Sequence, residues 1–556
     1  MSTATGSGDG SSSPALVPAP FRRPAERRSV LDRAHRGDIS GALGRVGSHE
    51  TVAQRSRGRR IAALLAIMGP GVIVMVGDNE AGSLSVYGQA GQNYGLSLLW
   101  LLVPLAAILF INQEMVGRLG AVTGAGHARL IYERFGRRWG AFALADLIAL
   151  CLLTIVTEFI GIDFAAGFLG IPRYVAVPVA ALLLLAVTAT GSFRRWERIM
   201  YGFIALNVLM IPLVIDSKPH PVEVVDGLVP GVGGSFTAGT VLFTIALVGA
   251  TVAPWQLFFH QSNVVDKRIT SRWLGYERMD TLIGTLFFAL GAVAIIATCA
   301  FAFGGTPLHG AFVDAGSVAT GLQARLGHTA AVLFVLILLN GSLFGALVVT
   351  LGASYAVGDV FGVKHSLHRR WSDAPSFYGI FALLVFAATA VVLAPDAPLG
   401  IVTTAVQALA GVLLPSALVF LLLLCNDREV LGPWTNPRWL NALATAGIGV
   451  LLVLSALLTF TILLPGTRVR YLAIGLVVAL AVALSFLAGR ASGGDAVQKG
   501  GGEDGSPRAD WTMPPFGQLA PPAGSRARTI GLVVLRSYLT VAALLLILKT
   551  VRVLVG

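Results

Sequence analysis

Two acidic residues and an amide stand inside a long apolar run near the start of the chain. The stretch VMVGDNEAGS places Asp78, Asn79 and Glu80 between Gly77 and Gly82. On membrane-insertion scales a carboxylate at the centre of a spanning helix costs about 2.5–3.5 kcal/mol, so two unpaired carboxylates cost roughly twice that. Such residues indicate a functional site, in which the acids are protonated, paired with a base or bound to a cation.

A bound cation is the favoured explanation for Asp78. Almost no Lys or Arg stands within the first ten apolar spans, so a basic partner is not expected. For Glu80 a protonated state stays open, as does contact with water in the turn. The flanking glycines predict an unwound turn, and an unwound turn also frees backbone carbonyls that can bind a cation.

The elements that carry this stretch are predicted to be membrane-spanning helices. The chain has 556 residues, of which 55% are hydrophobic and 13% charged, whereas soluble domains carry about 25% charged residues. Apolar runs of about 20 residues recur along the chain and predict an all-α polytopic membrane protein. The expected spans cover 61–90, 95–117, 139–169, 174–191, 196–214, 237–262, 280–304, 330–357, 376–394, 401–425, 438–464, 470–489 and 529–555.

The charge distribution predicts orientation and argues against nucleic acid as a partner. The formal net charge is +12, and much of the excess lies in the first 60 residues. The remaining basic residues recur in alternate loops, a pattern that places the N-terminus in the cytoplasm of a protein in the cell membrane. The loops expected inside are 118–138, 192–198, 263–279 and 358–372, and those expected outside are 215–236, 305–329 and 395–400.

The domain boundaries follow from the same pattern. Residues 1–60 lack an apolar period and are expected to be a disordered basic cytoplasmic tail, with no signal peptide. Residues 61–425 are expected to form a ten-helix transport core with halves at 61–214 and 237–425. Additional transmembrane helices are expected over 426–489, a flexible loop over 490–528 and a C-terminal transmembrane helix over 529–556.

A second interruption lies in the sixth apolar span. In the stretch TVAPWQ, Pro254 removes a backbone donor and clashes with the preceding turn. The first and sixth spans are the corresponding positions of two five-span halves, although the halves share no sequence similarity. Transporters with inverted repeats place broken helices at such positions and bind substrate between them. The broken helices and the pathway are expected to include Gly77, Gly82, Pro254, Trp255 and Gln256.

Five stretches, in order along the chain, resemble the NRAMP family of divalent-metal transporters. They are GPGVIVMVGDNEAG, NQEMVGRLGAVTG, TEFIGIDFAAGFLGIP, ATVAPWQLFFHQS and NDREVLGPWTNPRWLN. The resemblance covers roughly residues 60–465. It implies an inverted repeat of five plus five helices of the LeuT type, in the APC superfamily, with extra C-terminal helices.

The resemblance also implies a metal site at the two breaks, with Asp78 as the principal ligand. Backbone groups near Ala81 and between Thr251 and Ala253 are implied as further contacts. Gln407 would join the site when it closes, and its alternative role is a helix-packing hydrogen bond. The implied metal contacts, with the second acid included, are Asp78, Glu80, Ala81, Thr251, Ala253 and Gln407.

Two departures from the family pattern concern the ion. Ala253 stands where the family has a methionine, so the soft thioether is absent and oxygen ligands remain, which suit Mg²⁺, Ca²⁺ and Mn²⁺. Met75 could supply sulfur instead, although a core position is favoured. Ala81 or Gly82 stands where the family has an asparagine, and the extra room favours a hydrated ion such as Mg²⁺.

Other departures concern protons. Trp255 and Ile155 stand where the family has a histidine and an aspartate, and span 376–394 lacks basic residues. These losses resemble those of the NRAMP-related magnesium transporters. The retained candidates for a proton or gating relay are Glu158, Asp163 and His260.

The expected function is secondary transport of Mg²⁺ and/or Mn²⁺ by alternating access, without obligatory proton coupling. The alternative is a proton-coupled Mn²⁺/Fe²⁺ importer. A sodium-coupled amino-acid symporter is disfavoured because the breaks carry acids, and an intramembrane enzyme is disfavoured because the inner loops are basic. No cofactor and no catalytic residue are expected. The expected partners are the metal ion and the lipid bilayer, and the sequence leaves the oligomeric state open, with a monomer compatible.

Overall fold

The computed structural model describes residues 33–35, 37–47, 50, 56–230, 238–394, 399–463, 469–491, 508–520 and 528–538. Within these residues, nine helices or continuous helix runs are long and apolar enough to cross a membrane, and a bent helix pair would make a tenth. The prediction of an all-α polytopic membrane protein is confirmed. The segments near 231–237 and 395–398, and the chain beyond residue 538, lie outside the described residues.

The first expected span is divided into three helices. They are α1 (Arg57–Ile67), α2 (Pro70–Val76) and α3 (Ala81–Tyr94). α1 and α2 meet at a bend of 50°, where Gly69 adopts a φ of +153° that L side chains rarely accept. Residues 77–80 separate α2 from α3, so the predicted break is present.

The rest of the first half is a series of long helices joined by short connections. An intervening 3-10 helix, Asn207–Leu209, joins α8 and α9 into one apolar run, Phe193–Ser217. The elements are α4 (Leu102–Thr123), α5 (His127–Phe135), α6 (Arg137–Phe168), α7 (Arg173–Thr188), α8 (Phe193–Leu206), α9 (Met210–Ser217) and α10 (Pro221–Gly227).

The second half repeats this arrangement, with a broken helix first. Its elements are α11 (Ala238–Thr251), α12 (Pro254–Asp266), α13 (Leu274–Phe303), α14 (Ala315–Leu326), α15 (His328–Phe361), α16 (Pro375–Leu393) and α17 (Leu399–Cys425). Beyond it lie α18 (Arg428–Leu431), α19 (Arg438–Leu463), α20 (Val469–Ala491) and a helix over residues 528–538.

The packing of the two halves is reciprocal. The broken helix of the first half, α2 and α3, packs on α13, the second long helix of the other half. In the same way α12, from the broken helix of the second half, packs on α4. The third helices of the halves, α6 and α15, pack on each other. This exchange is what an inverted repeat requires, and it brings the two breaks together in the core.

Part of the segment 1–60, which was expected to be disordered, is ordered, while residues 1–32 lie outside the described residues. Strands β1 (Ile39–Gly41) and β2 (Gly44–Val46) form an antiparallel hairpin in which Ile39 pairs with Val46. Both side chains are buried in a small apolar cluster with Ala63, Ala66 and Ile67 of α1. The end of the bundle that carries this hairpin is called the hairpin face below.

Within the expected flexible loop 490–528, residues 508–520 dock on the hairpin face, whereas residues 492–507 and 521–527 lie outside the described residues. The Met513 amide donates to the Val122 carbonyl at 3.2 Å. The Trp434 indole donates to the Arg508 carbonyl at 2.9 Å, and the Arg508 guanidinium lies 4.2 Å from the centre of the Trp434 ring.

Basic residues assigned to inner loops are more ordered than expected. The predicted loop 118–138 contains the end of α4 and all of α5. Arg118 donates to the Asn436 side chain at 2.6 Å, and Arg134 pairs with Asp427 at 2.6 Å. Both arginines are buried. The charge pattern indicates orientation, whereas these contacts depend on elements distant in sequence.

Candidate functional site

The first break arises because α2 ends in tight turns. The amides of Asp78 and Asn79 donate three residues back, to Met75 at 3.2 Å and to Val76 at 3.1 Å. Glu80 then takes an extended conformation and serves as the N-cap residue of α3. The carbonyls of residues 77–79 therefore stand outside both helices, and that of Asn79 lies against Gly341 of α15.

The second break depends on a proline in a position that suits it. Pro254 is the first residue of α12, where a missing N–H costs no helical hydrogen bond. Ala253 before it is extended, with φ −95° and ψ 142°. The carbonyls of Thr251 and Val252 consequently have no helical continuation. The structure thus places backbone oxygens where the sequence predicts metal contacts.

Side chains join the two breaks directly. Ser83 and Tyr87 on α3 donate hydroxyl hydrogen bonds to the Ala250 carbonyl at 2.8 and 3.0 Å. From the other direction, the Gln256 amide on α12 donates to Asp78. Each broken helix is held by the other, so the breaks form one site.

Two further elements close around Glu80. The Gln407 amide on α17 donates to Glu80 Oε1 at 2.7 Å. Glu158 on α6 accepts from the Ala81 N–H at 3.1 Å. Both carboxyl side chains lie against Gly345, since a Cβ added there would stand 2.8 Å from Glu158 Cδ and from Glu80 Cβ. Helices α3, α6, α15 and α17 therefore meet around the neighbouring side chains of Glu80 and Glu158.

Four side-chain oxygens at this place are buried and have no hydrogen-bond partner. They are Asp78 Oδ2, Asn79 Oδ1, Glu80 Oε2 and Glu158 Oε1. A buried polar atom without a partner costs about 1–3 kcal/mol, and a charged one costs more. Glu80 and Glu158 also lie within hydrogen-bond reach of each other when one of them is protonated. A cation satisfies such oxygens, and a proton shared by the two glutamates satisfies that pair as well.

The arrangement is not a ready-made cage of carboxylates. Within the described part of the chain, no group of three or more His, Cys, Asp or Glu side chains is placed to hold a metal ion. A cation at the breaks would therefore draw its ligands from Asp78, backbone carbonyls, amide oxygens and water. Such an all-oxygen set is the kind that Mg²⁺ and Mn²⁺ accept.

Most predicted pathway residues lie around the breaks. Gly82 permits the approach of Gln407, because a Cβ there would stand 2.1 Å from the Gln407 amide nitrogen. Trp255 is fully buried on α12, and its indole N–H has no hydrogen-bond partner in the structure. Ala81 lies inside α3 and contributes its N–H instead of a free carbonyl. Met75 is buried against Gly284 in the core.

Asp163 makes its ion pair away from Glu158, and its part in a relay stays a prediction. It pairs with Arg173, at the start of α7, at 2.7 Å. It stands five residues beyond Glu158, and at 3.6 residues per turn this spacing directs the two side chains to different faces of α6. The sequence did not suggest this ion pair between Asp163 and Arg173.

A chain of hydrogen bonds leads from the site toward the hairpin face. Gln256, which donates to Asp78, accepts from Gln113 at 3.2 Å. Gln113 Oε1 faces His260 Nδ1 at 2.8 Å, and His260 Nε2 faces Glu277 Oε1 at 2.8 Å. With these amide orientations Nδ1 carries a proton, so the contact with Glu277 holds one further proton that either partner can carry.

Sequence reasoning missed three of the polar residues beneath the site. Gln113 and Glu277 complete the chain just described. Asp280 accepts the amides of Gly69 at 3.0 Å, Gly71 at 2.7 Å and Val72 at 3.2 Å, and so caps α2 from another helix. The available signal was YERMD at the start of an apolar span, where two acids stand one helical turn apart.

The fold and the site together define a class. Two broken helices from opposite halves, with acids and free carbonyls between them, are the arrangement of secondary transporters with inverted repeats. Residues 71–461 match the Nramp family model, described as natural resistance-associated macrophage protein-like. Since the match spans more than half of the chain, this protein belongs to the Nramp family, whose members are transporters and not enzymes.

Individual relatives agree with this assignment. The divalent metal cation transporter MntH of Levilactobacillus brevis is 27% identical over 413 residues, which cover 70% of this chain and 88% of that protein. MntH 1 of Pseudomonas aeruginosa is 29% identical over 411 residues, covering 70% and 90%.

Solved structures agree as well. The manganese transporter of Eremococcus coleocola, crystallised with an aromatic bis-isothiourea compound, superposes with a TM-score of 0.61 at 19% identity. The superposition covers 78% of this chain and 96% of that one. The predicted LeuT-type fold is thereby confirmed.

Proposed function

We propose that this protein moves Mg²⁺ and/or Mn²⁺ across the cytoplasmic membrane by alternating access, with its N-terminus inside and without obligatory proton coupling. The observation that carries the proposal is the buried Asp78 carboxylate at the first break, whose Oδ2 has no hydrogen-bond partner. The metal-transporting relatives support a dication as the cargo. The basic residues at the N-terminus support the orientation.

The ion's path must open on alternate sides because the site is sealed in the conformation described. Asp78 and Glu80 are each 1% exposed. Gln407 closes over Glu80, while the chain from Gln256 to Glu277 lies between Asp78 and the hairpin face. Rocking of the broken helices against α4, α13 and α17 would break one seal at a time.

The absence of obligatory proton coupling rests on side-chain chemistry. Trp255 stands beside the second break without an ionisable group, and α16 carries no charged residue. Proton-coupled transport needs groups that change charge in step with the cargo. Trp255 and Ile155 stand at the positions where the family pattern has a histidine and an aspartate.

Flux through proteoliposomes tests the proposal. We expect reconstituted protein to carry Mg²⁺ and Mn²⁺ down a concentration gradient with equal pH on both sides, measured with a metal-sensitive dye inside the vesicles. Vesicles without protein provide the background. Protein that is folded by its melting transition yet carries neither ion would refute the proposal.

Ala253→Met is expected to shift ion preference toward soft metals. The thioether adds a ligand that favours transition metals and has little affinity for Mg²⁺. Competition assays should show Mn²⁺ or Cd²⁺ gaining on Mg²⁺ by about tenfold, the effect of roughly 1.4 kcal/mol. Ala253→Leu is the matched control, because it adds similar volume without sulfur. Equal shifts in both variants would assign the change to volume alone.

Proton-coupled import of Mn²⁺ or Fe²⁺ is the second candidate, and the pair of His260 and Glu277 favours it. A proton on that pair is linked to Asp78 through two amides. If this function holds, a pH dye in the vesicle lumen reports acidification that tracks metal entry, and His260→Gln removes the acidification. Metal entry at constant lumenal pH in the wild type excludes this candidate.

A further inference from the structure

A polar cavity of about 390 Å³ opens on the hairpin face, separate from the site at the two breaks. Four elements converge on it: the β hairpin, the start of α8, the turn after α12 and the segment before α16. Its lining residues are Asp38, Ser40, Arg45, Ser192, Arg194, Arg268 and His368. None of these residues belongs to the breaks, so the transport site does not explain the cavity.

The cavity has an excess of positive charge. Three guanidinium groups face a single carboxylate, and that carboxylate, Asp38, already accepts two hydrogen bonds from Arg45 at 2.9 and 2.5 Å. Burial lowers the pKa of His368, although Asp266 opposes the shift. Arg268 also interacts with Asp38 and with Asp266 behind the lining. Arg194 interacts with the buried Glu197. The lining itself still carries two more guanidinium groups than carboxylates.

The arginines are positioned differently. Arg268 is fixed by its bonds to the carbonyls of Ala34 at 2.9 Å and Asp38 at 3.3 Å. Arg194 is exposed on the first turn of α8 and can turn toward a ligand. A fixed guanidinium beside an adjustable one suits recognition of an oxyanion with several oxygens.

Backbone amides at the start of α8 add uncharged hydrogen-bond donors to these positive charges. Ser192 is the N-cap residue of α8, a helix of 14 residues, and its side chain makes no capping hydrogen bond. The first amides of α8 therefore point out of the helix beside Arg194, in the direction in which anions are stabilised. His368 is held over Phe193 with ring centres 5.4 Å apart.

We propose that this cavity binds a phosphate-bearing polyanion, either a soluble triphosphate such as that of a nucleotide or the phosphorylated headgroup of a membrane lipid. Its volume lies in the range of about 300–1,000 Å³ that small-molecule sites occupy. A bound anion bridges the hairpin to α8 and to the turn after α12. The hairpin packs on α1, which leads through Gly69 to α2 and the first break. Anion binding thus favours the conformation described here.

Calorimetric titration of the full-length protein in a neutral detergent, with sodium triphosphate and with ATP in the absence of divalent metal, tests the proposal. We expect saturable binding that Arg194→Gln weakens about tenfold or more, since a charge-assisted hydrogen bond is lost. Arg195→Gln is the matched control, because Arg195 is exposed on the same turn and does not line the cavity. It should leave the affinity within about twofold.

Lipid nanodiscs distinguish the two sources. If the ligand is a lipid headgroup, soluble triphosphate does not bind. Nanodiscs that contain a phosphoinositide then raise the melting temperature of the wild type and of Arg195→Gln. They leave the melting temperature of Arg194→Gln unchanged. Binding of neither probe overturns the proposal. Equal weakening in both arginine variants also overturns it, because general attraction to a basic face would then account for the binding.

Discussion

Asp78→Asn is expected to reduce metal uptake by reconstituted protein about 100-fold or more, equivalent to roughly 3 kcal/mol of lost stabilisation of the ion. The substitution keeps the shape of the side chain and removes its charge. One carboxylate oxygen accepts from Gln256, and the other is buried without a hydrogen-bond partner. A neutral amide leaves a partly dehydrated dication with much weaker compensation in a low-dielectric site.

The same substitution is expected to raise the melting temperature of the metal-free protein. A buried carboxylate without a cation is costly, and its neutral isostere removes that cost. Wild-type protein should gain thermal stability when Mg²⁺ or Mn²⁺ is added, whereas Asp78→Asn should not. Thermal scans with and without metal therefore separate loss of binding from loss of folding.

Asp163→Asn provides the matched control. It also exchanges an aspartate for its neutral isostere, but at a side chain that is paired with Arg173. Its uptake should stay near the wild-type rate. Metal uptake by Asp78→Asn at wild-type rates, or equal losses in both variants, would show that the first break does not hold the cargo.

The two breaks show how much of the site could be predicted from the sequence. Gly77, Asp78 and Pro254 are local signals, because glycine, buried charge and proline each disrupt a helix by a known mechanism. Both breaks are present where these signals stand. The contact between Gln407 and Glu80 joins residues 327 positions apart. Nothing local predicts such a contact, and the family resemblance alone suggested Gln407.

Asp280 illustrates what pattern reasoning cannot supply. Its carboxylate caps α2 across 211 positions of sequence, from Asp280 to Gly69. The sequence gives an acid at the start of an apolar run, and such an acid is as compatible with solvent as with a buried cap. Only the reciprocal packing of α2 on α13 decides between these roles.

The ordered residues 37–47 and 508–520 follow a related logic. Composition predicts disorder where apolar residues are few, since too little surface is buried to offset the loss of chain entropy. Here a few residues are sufficient because the core supplies the other side of the contact. Ile39 and Val46 pack on α1, and Trp511 packs on the main apolar core near Gly432. The composition of a segment describes that segment alone. It gives no information about the apolar surface that the rest of the chain provides for the segment to pack against.

Lys267 shows the consequence for charge. The sequence assigns it to an inner loop, yet its side chain is 0% exposed and its ammonium lies 2.5 Å from Glu197. The ammonium also donates to the Met68 carbonyl, and Glu197 accepts from the Ala42 amide. One ion pair thus ties the end of α12 to α8, to the hairpin and to the junction between α1 and α2.

Lys267→Met is expected to lower the free energy of unfolding by about 3–5 kcal/mol, because it leaves Glu197 buried without its cation. The pair packs directly against Gly69, since a Cβ at that position would stand 2.1 Å from Glu197 Oε1. Unfolding of the detergent-solubilised protein, followed by tryptophan fluorescence, measures the loss.

The double variant Lys267→Met with Glu197→Gln separates an unpaired charge from lost packing. Without a buried charge it should recover more than half of the loss, because apolar or neutral replacements of a buried ion pair are often tolerated. Lys364→Met, on an exposed lysine of the same face, should change stability by less than about 0.5 kcal/mol. A double variant as unstable as Lys267→Met would mean that the lysine acts through its bond to Met68 instead. The hydrogen bond from Lys267 to Met68, at the junction between α1 and α2, would then hold the first broken helix in place instead of the ion pair.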